Sequence, residues 1–344
     1  MIGWRGPWAA CLVAVIGLAA TACIGRHTVA GVTDGSSRDA LRAGALVYVK
    51  DQALYLARGD GSGASRVLGK DDGGDDLTIL QAALSPAGDR VGFLSVNEID
   101  VRERTGRGLS LQILTLACAN DPRAAVTHWR RIELSKFVQP GADGRLEIFA
   151  AGALAWSRDG SRIAVGLNRP SAGGGDAVLL LDPDGNPLVQ YDIAPHDLSP
   201  VSSISWTRDS GAVLLGGQIN AGGDNATGVI LRLDFGPAGG ARGATITDVG
   251  PGRFPAVSPD GARIAIVDER SGKSDLVVLD MSGREVERFT RPAGRGLSRP
   301  EWSSDGRYLY YYSLASTGPL GLIDITMLRC LDTRTRQVFD LARL

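Results

Sequence analysis

Histidine is scarce in this 344-residue chain: His27, His128 and His196 are the whole supply. They stand too far apart in the sequence for metal-ligand spacing, which brings several donors to one centre. The chain has no Gly-x-Ser-x-Gly elbow, no phosphate-cradling loop ending in Gly-Lys-Ser/Thr, and no dinucleotide fingerprint. Gly173-Gly-Gly175 and Gly222-Gly223 fall between β-rich runs, so they read as loops. An excess of positive charge is also missing. Against 37 Lys and Arg stand 38 Asp and Glu, which excludes the basic face that a nucleic-acid partner demands. Aromatics make up only 6% of residues, few for one continuous core in a chain this long. The longest apolar run, Trp8 to Ala22, is too short to cross a bilayer comfortably, which takes about 18 residues or more.

What the chain does have is a five-fold internal echo. It reads Ala-Leu-Ser-Pro-Ala-Gly from Ala83, Ala-Trp-Ser-Arg-Asp-Gly from Ala155 and Ser-Trp-Thr-Arg-Asp-Ser from Ser205. It returns as Ala-Val-Ser-Pro-Asp-Gly from Ala256 and Glu-Trp-Ser-Ser-Asp-Gly from Glu301. The anchors Ser85, Ser157, Thr207, Ser258 and Ser303 are 72, 50, 51 and 45 positions apart. Spacings near 50 suit one four-stranded antiparallel sheet per repeat, the blade of a β-propeller. In each blade the first strand ends at the Trp-Ser position. Asp-Gly then makes a tight turn, because both residues tolerate positive φ. The second strand follows as Arg162-Ile-Ala-Val-Gly166 or Arg263-Ile-Ala-Ile-Val267.

A sixth copy opens at Ala45, with strands at Ala45 to Val49, Ala53 to Ala57 and Ser65 to Leu68, but without its first strand. Either Thr28 to Thr33 or the tail Gln337 to Leu344 is expected to close the ring. The fold class is therefore all-β, a propeller of six four-stranded blades, or seven if Lys136 to Ala151 supplies extra strands. Trp156, Trp206 and Trp302 recur at one repeat position, which favours inter-blade packing over an aromatic ligand platform.

Two stretches carry a resemblance to a known family. Leu54-Tyr-Leu-Ala-Arg-Gly-Asp-Gly-Ser-Gly-Ala-Ser-Arg-Val-Leu68 and Ala256-Val-Ser-Pro-Asp-Gly-Ala-Arg-Ile-Ala-Ile266 resemble the two halves of the TolB-type propeller repeat. The resemblance spans Ala45 to Leu344 and implies the fold, not a task. Ala87 and Ser210 depart from the pattern at the turn Asp and turn Gly, and no room exists for TolB's amino-terminal domain. Membership of a transport complex is thus not carried over.

Residues 1–22 read as an export signal, with Arg5 as the positive region and an apolar run behind it. Leu18-Ala-Ala-Thr-Ala-Cys23 resembles a lipobox, although Ala20 stands where Leu is preferred. That implies lipidation at Cys23, with 23–43 as a flexible tether and 44–344 as the propeller. Ala20-Thr-Ala22 equally fits an ordinary cleavage site, giving a secreted or periplasmic soluble protein. On the lipobox reading the chain sits on the outer face of the cytoplasmic membrane. Cys118 and Cys330 remain, and both are expected as buried free thiols in blades too far apart to bridge.

Loop lengths point to a surface. The first-to-second-strand turns are tight, whereas the second-to-third loops are long: Asn97 to Gly108, Asn168 to Asp176, Gln218 to Thr227 and Leu314 to Ile325. All lie on one face of the disc, where Arg102, Arg104, Asp176, Asn220, Asp224 and Arg295 are the expected contacts. The acidic run Asp71, Asp72, Asp75 and Asp76 reads as a solvated loop, with Ca²⁺ binding as the alternative. The functional expectation is a monomeric, membrane-tethered, non-catalytic module for an envelope protein or cell-wall component. No cofactor is called for. The alternative is an enzyme or small-molecule sensor working in the central channel.

Overall fold

In the computed structural model, 24 of the 25 strands among the described residues build six four-stranded antiparallel blades, and the remaining one adds to the blade 2 sheet. The structure describes residues 22–25, 45–69, 77–100, 105–137, 146–147, 151–167, 176–193, 198, 200–219, 227–236, 243–270, 274–290, 295–317 and 323–344. Blade 1 holds β1 (Ala22–Gly25), β2 (Ala45–Lys50), β3 (Ala53–Arg58) and β4 (Ser65–Leu68). Blade 2 holds β5 (Thr78–Leu84), β6 (Arg90–Asp100), β7 (Thr105–Leu116) and β8 (Val126–Glu133), with β9 (Leu146–Glu147) paired to β7. Blade 3 follows as β10 (Ala151–Trp156), β11 (Ile163–Leu167), β12 (Ala177–Leu181) and β13 (Pro187–Asp192). Blade 4 is β14 (Ser203–Trp206), β15 (Ala212–Ile219), β16 (Thr227–Asp234) and β17 (Thr245–Pro251). Blade 5 comprises β18 (Arg253–Val257), β19 (Arg263–Asp268), β20 (Asp275–Asp280) and β21 (Glu285–Phe289). Blade 6 comprises β22 (Arg295–Trp302), β23 (Tyr308–Thr317), β24 (Ile323–Asp332) and β25 (Val338–Arg343). First strands of successive blades touch in cyclic order, from β1 through β5, β10, β14, β18 and β22 back to β1. The ring is a closed six-bladed propeller.

Each repeat motif is consumed in building this ring. In blade 3 the Ser157 hydroxyl donates to Asp159 at 2.6 Å and accepts from the Arg162 amide at 2.8 Å, closing the turn. Gly160 sits at φ 71°, where a side chain is strained. Blade 2 lacks the turn Asp, and Asp89 replaces it by accepting from Ser85 Oγ at 2.8 Å. Every recurrent Trp donates its indole N–H to the preceding blade. Trp156 reaches Ala83 O at 3.2 Å, Trp206 reaches Ala155 O at 3.1 Å and Trp302 reaches Ala256 O at 3.0 Å. Blade 5 has Val257 at this position, and there the Val257 amide donates to Ser205 Oγ of blade 4 at 2.9 Å. In blades 3 and 5 the Arg after the turn serves the following blade: Arg162 stacks over Trp206 at 5.0 Å and Arg263 over Trp302 at 4.6 Å. The tryptophans are inter-blade staples.

The structure corrects several expectations. Strand β1, from Ala22–Gly25, completes blade 1, and the carboxy-terminal tail forms β25, the outer strand of blade 6. A first strand is enclosed by neighbouring blades. Val338–Arg343 carries Asp340 and Arg343 and stays half-exposed, as an outer strand does. Thr28 to Thr33 lies outside the described residues. The stretch Lys136 to Ala151 contributes one 3₁₀ turn (Ser135–Phe137) and the two-residue β9 to the edge of blade 2, not a seventh blade. Cys118 and Cys330 are both free, but Cys118 is exposed, because β7 ends at Leu116 and leaves it in a turn. Only Cys330, within β24, is buried, and burial pushes its thiol pKa up.

Candidate functional site

Among the described residues, three of the long second-to-third-strand connections begin and end as paired strands. In blade 2 the β6–β7 ladder continues to Asp100↔Thr105, in blade 4 the β15–β16 ladder to Ile219↔Thr227, and in blade 6 the β23–β24 ladder to Thr317↔Ile323. These hairpins use strands of 8 to 12 residues, whereas the middle strands of blades 1, 3 and 5 have 5 or 6. Three β-arms therefore extend on one face of the disc, on alternate blades. Backbone pairing holds each arm outward, and register shifts at Ser95/Asn97 and Asn97/Ile99 bend the blade 2 arm.

Of the six predicted contacts, Asp176 and Arg295 lie among the described residues. Arg102, Arg104, Asn220 and Asp224 lie outside the described residues, as do Asp71, Asp72, Asp75 and Asp76. Arg295 opens β22, and Cys23 lies in β1 opposite Val47. Asp176 is only 2% exposed: its carboxylate accepts from the Val201 amide at 3.2 Å, and its carbonyl accepts from the Ile193 amide at 2.9 Å. It ties two connections together from within. His128 is exposed on β8, while His27 and His196 fall outside the described residues. Among the described residues no group of three or more His, Cys, Asp and Glu is arranged to hold a metal ion. No helix among them is long and apolar enough to cross a membrane.

Blade 5 carries the densest charge on this face. Asp268 ends β19 and Asp275 begins β20; they pair directly and are 4% and 5% exposed. Two carboxylates so placed would repel each other in a low-dielectric site. Arg288 of β21 spans them, with Nη2 at 2.9 Å from Asp268 and Nη1 at 3.0 Å from Asp275, and also reaches Glu285 at 2.7 Å. Arg270 adds a two-pronged contact to Asp268 at 2.9 Å through both Nε and Nη2. The Arg270 and Arg288 guanidiniums hold the Asp268 carboxyl far below the usual carboxylate range. This cluster was hidden in the sequence, because nothing there aligns residue 288 with residues 268 and 275.

On the axis, the other end of the blades is bolted. Arg158 follows Trp156 in the blade 3 turn and passes blade 4 to reach Val257 O at 2.5 Å and Ser258 O at 3.1 Å in blade 5. Beside it, Ala83, Leu154, Trp156, Ser205, Trp206 and Glu301 line a cavity of about 50 Å³. Ligand pockets run to several hundred Å³, so this space suits a few waters. A signal for Arg158 did exist. It was weak, because the equivalent turn position is Pro in two copies, Ser in one and Arg again at Arg208.

The architecture is that of a closed six-bladed propeller, and solved structures share it. The chain is similar to TolB from Acinetobacter baumannii, with a TM-score of 0.56 and 17% identity over 87% of this chain and 64% of that one. It therefore spans less than two thirds of that protein's length. It is also similar to a protein from Agrobacterium tumefaciens provisionally described as TolB, with a TM-score of 0.52 and 19% identity over 82% of this chain and 84% of that one. A glucose dehydrogenase matches with a TM-score of 0.52 and 15% identity, over 78% and 89% of the two chains. No family model matches the chain, and no curated protein does. At these identities the likeness shows the fold, a TolB-type propeller. A fold shared with a dehydrogenase does not choose between binding and catalysis.

Proposed function

We propose that the chain is an exported, membrane-tethered propeller that binds an envelope protein or a cell-wall component through its β-arm face and catalyses no reaction on it. The observation that carries this reading is the set of three arms on alternate blades of one face. Backbone ladders that continue past a blade's own packing cost conformational entropy, and a grip on a partner is what such projections provide. The small axial cavity behind the Arg158 bolt supports binding over channel chemistry. The anchoring rests on the apolar leader and Cys23; since Cys23 lies in β1, thioether-linked chains there would hold blade 1 directly against the outer face of the cytoplasmic membrane rather than through a free tether.

The experiment is crosslinking in intact cells followed by capture of the tagged protein. Three proteins are compared: wild type, Cys23→Ala, and a variant whose blade 2, blade 4 and blade 6 arms are each cut to a short turn. A specific envelope partner lost on arm removal, with unchanged thermal unfolding, supports the reading. A partner retained without the arms, or a small molecule bound at the axis, overturns it.

A further inference from the structure

The outer edge of blade 2 departs from the other five. Strand β8 has eight residues, where the other outer strands have four to seven, and of its residues only Ile132 is buried. Among the described residues four large apolar side chains are exposed, and two of them, Val126 and Trp129, lie on β8. Among the described residues its far edge carries no strand, since β9 pairs with β7 instead.

Trp129 is also held in place. Its indole N–H donates to Gln112 Oε1 at 2.6 Å, and Gln112 Nε2 donates to Ser95 Oγ at 2.8 Å. Ser95 Oγ in turn lies 3.1 Å from Ser110 Oγ. Gln112, Ser95 and Ser110 are each at most 2% exposed. Burying three polar side chains is costly unless they are satisfied, and here their hydrogen-bond chain ends on an aromatic ring that faces solvent. An exposed ring with its orientation fixed has the character of an interface anchor.

Charge selects the occupant. Residues 123–137 carry Arg123, Arg130, Arg131 and Lys136 against the single carboxylate of Glu133, in a chain of net charge −1. Arg131 lies a loose 3.8 Å from Glu133, and Arg130 bonds the neutral Asn186 at 2.8 Å. A second copy of this chain is a poor fit, because full antiparallel overlap of two β8 strands sets their arginine pairs beside each other. We infer that β8 is a docking edge for an extended, acidic segment of another protein. The segment adds as a further strand to blade 2, its acidic residues set against Arg130 and Arg131 and its apolar residues against Trp129 and Val126.

The test uses the full chain and fluorescence anisotropy. Three peptides as long as β8 serve as probes: one with two adjacent glutamates flanked by valines, its counterpart with two lysines, and the Glu peptide with its ladder amides N-methylated. Only the unmethylated Glu peptide should bind, more weakly as salt rises. Arg130→Glu with Arg131→Glu should cut affinity by about tenfold or more with thermal unfolding unchanged, because both side chains are exposed. Trp129→Ala should cut it by a similar factor and also lower Tm, because the buried Gln112 Oε1 loses its donor. Absence of Glu-peptide binding would mean that the arginines only guard a sheet edge, and the inference falls. Equal binding of the methylated probe would make the contact electrostatic adhesion rather than strand addition, and would overturn it too.

Discussion

Removing Arg288 tests whether the blade 5 cluster holds that blade together. In Arg288→Ala the adjacent carboxylates of Asp268 and Asp275 lose the guanidinium that spans them. Breaking a fully buried ion pair costs about 3–5 kcal/mol. Two features reduce that here: Arg288 is 29% exposed, and Asp268 keeps Arg270. We therefore expect about 2–3 kcal/mol, which is roughly 5 °C in Tm for a chain of this size. Arg284→Ala is the internal comparison, because Arg284 is 81% exposed and its pair with Asp280 is a surface contact that solvent screens. Urea unfolding of both variants gives the two numbers. If Arg288→Ala costs no more than Arg284→Ala, the low exposure of Asp268 and Asp275 has been misjudged as an energetic burden.

The same pair of proteins yields a pH signature. Asp268 has a folded pKa depressed below its unfolded value of about 3.9, so the stability it contributes is present above that value. It is lost as pH falls toward the folded pKa. The stability gap between wild type and Arg288→Ala should accordingly be flat from pH 7 to about 5 and shrink below about 4. A gap that stays constant down to pH 3, or widens on acidification, refutes the assignment of the cluster as a carboxylate clamp.

Three further outcomes follow from the same structure. Ser210 replaces the turn glycine of blade 4 at φ 56°, is buried, and has a hydroxyl with no hydrogen-bond partner among the described residues. Ser210→Gly should therefore stabilise the protein by about 1 kcal/mol in urea unfolding, and a loss would show that the hydroxyl is satisfied. Tyr311 is fully buried between blades 5 and 6 with a hydroxyl equally without a partner there, and burial raises its pKa. Tyr311→Phe should be neutral to about 1 kcal/mol stabilising, and a clear drop in Tm would reveal a bonded hydroxyl. Trp302→Ala removes the staple to Ala256 O and the platform under Arg263, so a cost of about 3–5 kcal/mol is expected by calorimetry.

What was legible in the sequence was what repeats. The Trp-Ser-x-Asp-Gly turn and the strand after it depend on contacts a few residues apart, such as Ser157 with Asp159 and Arg162. They announce a blade wherever they occur: five blades could be counted from them, and a sixth from the strands that open at Ala45. The arms were misread as loops for the opposite reason. Runs such as Ser313-Leu-Ala-Ser-Thr317 alternate only weakly, and their strand state is set by a partner strand across the hairpin, at Thr317↔Ile323 and its neighbours. Arg288 and Trp129 belong to a third category. Each acts through residues on other strands of its own blade, Arg288 through Asp268 and Asp275, Trp129 through Gln112. That juxtaposition depends on register, which a single sequence does not display and a one-residue slip would destroy. Residues that repeat build the ring, so function is sought among those that do not. In this propeller those are the arms of blades 2, 4 and 6 and the open edge of β8, where backbone and side chains are not already spent on the neighbouring blade.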